Sequence, residues 1–403
     1  MGLIVQKFEE SLISDTIETK NLVDKVKSAY IAGNSVVVVA AVQGNYMEEL
    51  VNKANRENPS RSKRELDVLI SAYGQIIASL TTMAIESSGI PAISLTGYQA
   101  GIISDSNYSN ARIKSIDNER IFRELDRKNV VVIAASQAWN KFEDITTFGK
   151  GGDDTTAVAV AASLQADICE FYTDLDGVYT ADPKIVSSAV KLKDISYDEL
   201  LELSSLGANI LHNRAVELAK KYNVNLVIKS RSKNIDGTIV KEVGSVEKLM
   251  VRGVTRDNEI ARIAVMGIED KPGMAFKLFS ALAKENINVD LIIQSIGRDG
   301  TEDISFTVGK SNLEGTLEVI NKNMALLNPR EVQHSDKYSK VSIVGAGMVN
   351  NPGIAAKMFE ALYEAGINIH MITTSETKIS VLVDVQDSEM AVNVIHEKFN
   401  LNA

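Results

Sequence analysis

Residues 146–186 read TTFGKGGDDTTAVAVAASLQADICEFYTDLDGVYTADPKIV. The stretch opens on a glycine-broken polar loop, Gly149-Lys150-Gly151-Gly152-Asp153-Asp154-Thr155-Thr156. Small apolar residues from Ala157 to Leu164 follow with the spacing of a buried helix. Ile168 to Thr173 then reads as a short strand, and Asp174-Leu175-Asp176-Gly177 as a turn. Glycines let backbone N–H groups approach an anion closely, and the following helix presents its positive end to the same place. The adjoining acids and threonines could orient a phosphate, a metal or an amine.

Outward from this loop the chain alternates strand and helix. Leu3 to Phe8 and Ser35 to Val42 are strands of near-continuous apolar character, separated by a helical pattern from about Ser14 to Ala32. Asp67 to Ser88 is a helix; Pro91 to Gly97, Val130 to Ala135 and Leu226 to Lys229 are further strands. Unbroken valine in strands separated by helices predicts a mostly parallel sheet with helices on both faces, an α/β domain spanning residues 1–250. The remainder is a repeat. Pro272-Gly273-Met274-Ala275-Phe276-Lys277-Leu278-Phe279 returns as Pro352-Gly353-Ile354-Ala355-Ala356-Lys357-Met358-Phe359, and Ile287-Asn288-Val289 as Ile367-Asn368-Ile369. Each copy is flanked by strands, which predicts a βαββαβ-like unit twice, over 255–330 and 338–403.

Composition bounds the function. The 403 residues carry a formal charge of −10, which argues against nucleic acid as a partner, since phosphate contacts need clustered Lys and Arg. Cys169 is the only cysteine, so no disulfide forms within the chain, as suits a reducing cytoplasmic setting. The N-terminus lacks the pattern of a signal peptide, and no apolar run reaches the roughly 18 residues of a membrane helix.

With these segments in view the chain resembles the aspartate kinases, which have the amino-acid kinase fold followed by two ACT domains. The resemblance rests on Ile4-Val5-Gln6-Lys7-Phe8, Arg64-Glu65-Leu66-Asp67, Ser94 to Gly101 (SLTGYQAG) and Ala111-Arg112-Ile113. It continues through Gly149 to Thr156, Tyr172 to Lys184, Leu206-Gly207-Ala208, Leu211-His212, Val341 to Met348 (VSIVGAGM) and Met371 to Glu376 (MITTSE). It implies transfer of the γ-phosphoryl of ATP, with Mg²⁺, to the side-chain carboxylate of L-aspartate. That reaction opens lysine, threonine and methionine synthesis and is fed back through the ACT domains.

Carried over position by position, the resemblance makes Lys7 the group that neutralises the transferring phosphoryl and Asp154 an orienting acid. Ser71, Lys150, Asp153 and Gln137 fall on the aspartate side. Lys7, Phe8, Thr173, Asp174, Tyr179, Asp182 and Lys184 fall on the ATP side. Asp270, Met274, Ala275, Asn288, Gln294, Ile354, Asn368 and Ser375 fall on effector pockets for an amino acid such as lysine or threonine. ACT sheets pair between chains in the family, which implies a homodimer or a hetero-oligomer. Read without the resemblance, an acid such as Asp154 is a helix N-cap, a role that can hold together with the functional one, and His212 is a packed, hydrogen-bonded histidine at a helix start rather than a catalytic base. Cys169 reads as a core residue, and the other histidines lack ligand spacing, so no metal site is assigned.

The chain departs from the family at defined places. Glu9 and Glu10 stand where the family has two glycines, and Ser71-Ala72-Tyr73-Gly74 where it has Ser-x-Gly-Glu. Lys150 replaces an arginine and Asp153 a serine in the central loop. Two readings follow: a working aspartate kinase, or a catalytically impaired homologue acting as a regulatory or effector-binding subunit.

Overall fold

The structure is a computed structural model and describes residues 2–8, 16–41, 45–208, 210–242, 251–296, 300–345, 348 and 351–402. Glu9 and Glu10 lie outside the described residues. The chain divides into two compact units.

The first unit comprises Met1–Tyr179, Lys191–Ser204 and Asn209–Val246. In chain order it contains β1 (Leu3–Phe8), α1 (Thr16–Ile31), β2 (Ser35–Ala40), α2 (Asn45–Glu57), α3 (Lys63–Ser87) and β3 (Ala92–Leu95). Next come β4 (Ile102–Ser104), β5 (Ile113–Ile116), α4 (Glu119–Asp126), β6 (Val130–Ala134), β7 (Gln137–Trp139) and β8 (Ile145–Thr147). The unit closes with α5 (Gly152–Leu164), β9 (Ile168–Thr173), β10 (Asp194–Ile195), α6 (Tyr197–Leu203), α7 (Asn213–Tyr222), β11 (Leu226–Ser230) and β12 (Thr238–Val240). Eight strands form one sheet in the order β10-β12-β11-β9-β1-β2-β6-β3. All its pairings are parallel except that of β11 with β12. Val36 to Val39 and Val130 to Ile133 are almost wholly buried, as continuous apolar strands between two helical layers must be.

Three features of this unit differ from the sequence reading. A second sheet, β5-β4-β7-β8, stands beside the first; its strands of three or four residues are too short to show a period. Helix α5 begins at Gly152 rather than after the polar loop. Its threonine hydroxyls bond back to the preceding turn, Thr155 Oγ1 to Gly151 O at 2.9 Å and Thr156 Oγ1 to Gly152 O at 2.7 Å, so polar residues extend the helix. Helix α3, with no charge from Val68 to Ile85, is long and apolar enough by length and composition to cross a membrane. Its buried face nevertheless includes Asp67, Ser71, Thr81 and Thr82, which marks it as a core helix.

The second unit comprises Thr180–Val190, Ser205–Ala208 and Glu247–Ala403. It contains β13 (Gly253–Asp257), β14 (Ile260–Glu269), α8 (Met274–Lys284), β15 (Val289–Ile296), β16 (Thr301–Gly309), α9 (Leu313–Lys322), α10 (Met324–Leu327) and β17 (Glu331–Ser335). β18 (Tyr338–Val344), α11 (Ile354–Glu364), β19 (Met371–Thr374), β20 (Lys378–Asp384) and α12 (Ser388–Lys398) follow. The two repeats give sheets of matching order, β17-β14-β16-β15 and β13-β18-β20-β19. The first is βαββαβ in chain order. In the second the outer strand is β13, which precedes the first repeat and pairs antiparallel with β18, Asp257 opposite Lys340. Residues 255–257, assigned from sequence to the first repeat, therefore lie in the sheet of the second.

Each repeat has its own apolar core, and Ile260, Leu291, Met371 and Leu382 join the two. The ammonium of Lys340 is buried at this junction beside Asp290, with Asp257 at 3.7 Å. Residues 180–190 are built into the core of the second repeat. Ala181 and Val186 pack among Met358, Ile395 and Leu401, and Val254 N donates to Thr180 O at 2.8 Å. Thr180 Oγ1 and His396 Nε2 are 2.9 Å apart.

Candidate active site

Lys7 is the penultimate residue of β1, at the carboxyl end of a central parallel strand, where open α/β sheets place their ligands. Its side chain is almost fully buried, and Nζ lies 2.8 Å from Oδ1 of Asp154. Asp154 stands in the first turn of α5, and its Oδ2 accepts the backbone N–H of His212 at 3.0 Å. The carboxylate is therefore held by the positive end of its own helix, the backbone N–H of His212 and an ammonium. The helix N-cap is Gly151, in left-handed conformation, so Asp154 is not the capping residue.

The glycines of the loop are held by protein rather than open. Gly151 has φ +70°, and a Cβ there would lie 2.1 Å from Cγ of His212. A Cβ on Gly152 would lie 2.0 Å from Ser136 Oγ. His212 thus packs against the loop through its ring and fixes Asp154 through its backbone. Burial first, then the positive charges of Lys150 and Arg214, hold its imidazole below the ordinary histidine value against the opposing pull of Asp154. Nδ1 of His212 has no hydrogen-bond partner among the described residues, while its backbone N–H is bonded to Asp154.

Ser71 and Gln137, separated by 66 residues, meet: Gln137 Nε2 donates to Ser71 O at 3.2 Å, and its Oε1 accepts from Gly97 N at 3.3 Å. Ser71 Oγ donates to Val68 O at 2.9 Å. Both are buried with Tyr73, which fills the interior of α3. Asp153 is buried and Lys150 is exposed on the loop.

Among the residues expected on the ATP side, Phe8 stacks on Tyr172 with ring centroids 4.5 Å apart. Thr173 is buried and donates to Leu175 O at 2.8 Å. Asp174 is exposed and pairs with Arg231, which also reaches Glu18 at 3.1 Å. Tyr179 donates to Asp176 at 2.6 Å; burial and that carboxylate push its hydroxyl up to about 12. Asp182 and Lys184 belong to the second unit, where Lys184 N donates to Asp182 Oδ1 at 2.9 Å.

Among the effector-side residues, Met274 and Ile354 turn into the cores of their repeats, with Ala275 packed against the first. Asp270, Asn288, Gln294, Asn368 and Ser375 are exposed, Gln294 bonding to Glu302. Cys169 is a core residue of β9, its thiol pushed well above the usual range by burial.

Sequence reading missed two groups. Glu170, buried in β9, accepts from Gln6 Nε2 and Tyr172 OH, each at 2.8 Å, and pairs with Lys229. A carboxylate inside an apolar strand was the available signal. Asp67 is the other, and its partners lie far along the chain. Trp139 packs edge-on to Tyr98 at 5.0 Å and lines a cleft of about 350 Å³ with Asp117, Arg120 and Arg123. None of the sequence-predicted residues lines that cleft.

Comparison with known proteins agrees with this fold. The amino acid kinase family matches residues 2–230, and ACT domains match 262–323 and 341–399. An aspartokinase of Bacillus sp. (strain MGA3) is 43% identical over 403 residues, covering 100% of this chain and 98% of that protein. An aspartokinase of Geobacillus stearothermophilus is 44% identical over 402 residues, again covering 100% of this chain and 98% of that protein. The crystal structure of aspartate kinase from Synechocystis aligns with TM-score 0.56 at 37% identity, covering 99% of this chain and 69% of that one. An amino acid kinase domain followed by two ACT domains, with relatives above 40% identity over the full length, places the chain among the aspartokinases of the amino acid kinase family.

Proposed function

We propose that this chain transfers the γ-phosphoryl group of ATP to the side-chain carboxylate of L-aspartate, giving 4-phospho-L-aspartate. The observation that carries the reading is the buried Lys7–Asp154 pair at the start of α5. Two anions must meet in this reaction, so a fixed positive charge in a water-poor site is the main requirement. Lys7 supplies it, and Asp154 holds its ammonium at the strand end. The N-terminus of α5 adds its dipole, and exposed Lys150 offers a cation to the aspartate carboxylate. Lysine keeps the charge of an arginine here but not its two-pronged grip.

MgATP is the phosphoryl donor in this reading. Among the described residues no three acidic, histidine or cysteine side chains cluster as a metal cage. Mg²⁺ is usually held mainly by phosphate oxygens and water, so it enters this reading with the nucleotide. Thr173, Asp174 and Tyr179 form the nucleotide side in this reading. The ACT repeats bind an amino-acid effector such as lysine or threonine. Their outer strands β15 and β19 offer edges for pairing with a second chain, as a homodimer or a hetero-oligomer. A cytoplasmic setting belongs to the same reading.

One observation favours the second reading, an impaired homologue with a regulatory role. Tyr73 and Gly74 lie buried in α3 where the family pattern has glycine and the glutamate that holds the substrate ammonium. Calorimetric titration with MgATP and then L-aspartate, followed by trapping of the acyl phosphate with hydroxylamine, separates the two. Binding of both and formation of aspartyl hydroxamate support the kinase. Binding of lysine or threonine without aspartate supports the regulatory homologue.

A further inference from the structure

Asp67 lies in the second turn of α3 and is wholly inaccessible to solvent. Its carboxylate accepts four hydrogen bonds. Oδ2 takes the backbone N–H groups of Ser109 at 2.8 Å and Thr147 at 2.9 Å. Oδ1 takes their hydroxyls, Ser109 Oγ at 2.9 Å and Thr147 Oγ1 at 2.7 Å. Four donors fill the capacity of a carboxylate, so Asp67 has nothing left with which to touch a substrate. No cation pairs with it among the described residues.

A buried carboxylate without a counter-ion persists only when its hydrogen bonds are complete, and each is then strong. The two segments it joins flank the loop of the active site. Thr147 ends β8, two residues before Gly149, and its carbonyl accepts Ala111 N at 2.9 Å. Ser109 adopts the left-handed region at φ 64°, uncommon for a residue with a side chain. Its carbonyl oxygen would lie 2.7 Å from a Cβ on Gly149, so the backbone of the loop rests directly on it. Arg214, two residues beyond His212, closes the same shell by donating to Ala111 O at 2.9 Å.

We propose that Asp67 is a positioning residue for the loop that carries Lys150, Asp153 and Asp154. By tying Ser109 and Thr147 to one rigid helix it fixes the point from which Gly149–Gly152 departs, and so the placement of the aspartate-side groups. Its kinetic consequence rests on the kinase reading; its structural consequence does not.

The test uses the full chain carrying Asp67→Asn, with Thr147→Val and Thr147→Ser as a second pair. Asparagine turns an amide N–H₂ toward donors, and valine removes one hydroxyl while keeping shape. Backbone hydrogen exchange is measured by mass spectrometry in peptides covering 105–112 and 145–156, with peptides of α6 and α7 as reference. The expected result is exchange at least about tenfold faster in the first two for Asp67→Asn and Thr147→Val, an unchanged reference, and recovery in Thr147→Ser. Equal acceleration everywhere, or none in the loop, overturns the inference. Should Asp67→Asn not fold, the Thr147 pair decides alone. In the kinetic arm, KM for L-aspartate rises about five- to tenfold in Thr147→Val while KM for MgATP stays within about twofold. Equal change in both constants also overturns it. A wild-type chain without turnover refutes the proposed function, and the exchange comparison still decides the role of Asp67.

Discussion

Replacing Lys7 with methionine isolates the interaction on which the site is built. The side chains of the pair are 2% and 12% exposed, so the carboxylate of Asp154 would be left in a site that water barely reaches, with only the N–H of His212 holding its second oxygen. Removing one partner of a buried ion pair destabilises a protein by about 3–5 kcal/mol, because the other charge stays buried and uncompensated. Lys7→Met should lie within that range. Asp154→Asn should also destabilise, and the double variant should recover at least about 2 kcal/mol relative to the sum of the singles. The assay is urea unfolding followed by far-UV circular dichroism, with the fluorescence of the single tryptophan, Trp139, as a second probe. Under the proposed function Lys7→Met also lowers kcat by about 10²–10³-fold, the usual effect of removing a charge aimed at the transition state. Additive single effects, or a Lys7→Met variant as stable as the parent, would refute the pairing argument outright.

Gly151→Ala combines a left-handed backbone with a Cβ 2.1 Å from the His212 ring, and should cost more than about 2 kcal/mol; Gly33→Ala, at φ +87° with open space around it, should cost only the backbone part, about 1–2 kcal/mol. Thermal unfolding of the two variants checks the difference. His212 and His396 are both held below the ordinary histidine value by burial, so the unfolded chain binds more protons than the folded one as pH falls through about 6.5. Stability is then intact above neutrality and lost toward acid, at no more than about 1.4 kcal/mol per pH unit for each histidine; urea midpoints from pH 5 to 8 should flatten in His396→Gln. At the junction of the repeats Lys340 is 2% exposed and Asp290 43%, so Asp290→Asn, which leaves the ammonium buried, should destabilise more than Lys340→Met, whose orphaned carboxylate water can solvate. Equal midpoints for those two variants would contradict the asymmetry.

What was legible in the sequence was whatever its local pattern dictates. β1 and β9 have the ends read from their apolar runs, and the parallel sheet follows from valine-rich strands separated by helices. The internal repeat announced two similar sheets. Local pattern does not say which sheet a strand joins, and β13 illustrates this: five ordinary strand residues that pair with β18 across more than eighty positions. Residues 180–190 continue the nucleotide-side motif without a break, yet Ala181 and Val186 are core residues of the second repeat. The candidate site residues divide in the same way. Lys7 was visible because a charged residue ended a buried strand, and Asp154 because it followed a glycine loop. Asp67 was passed over because its partners lie 42 and 80 residues away, and the helical position alone does not reveal them.

The placement of β13 makes the first repeat a guest inside the second. Asp257 and Lys340 face each other across neighbouring strands, so the whole segment between them, itself a closed βαββαβ module, enters and leaves its host at one point. Such an arrangement reads as duplication followed by insertion, or by an exchange of outer strands between tandem copies, rather than as two beads added in line. A guest of this kind can lengthen, shorten or change its ligand preference while the host sheet keeps its strand order. The host, in contrast, cannot be trimmed from either side without losing a strand or its packing. Variation among effector responses would therefore be tolerated in the inserted module first, with the enclosing one kept as the constant frame.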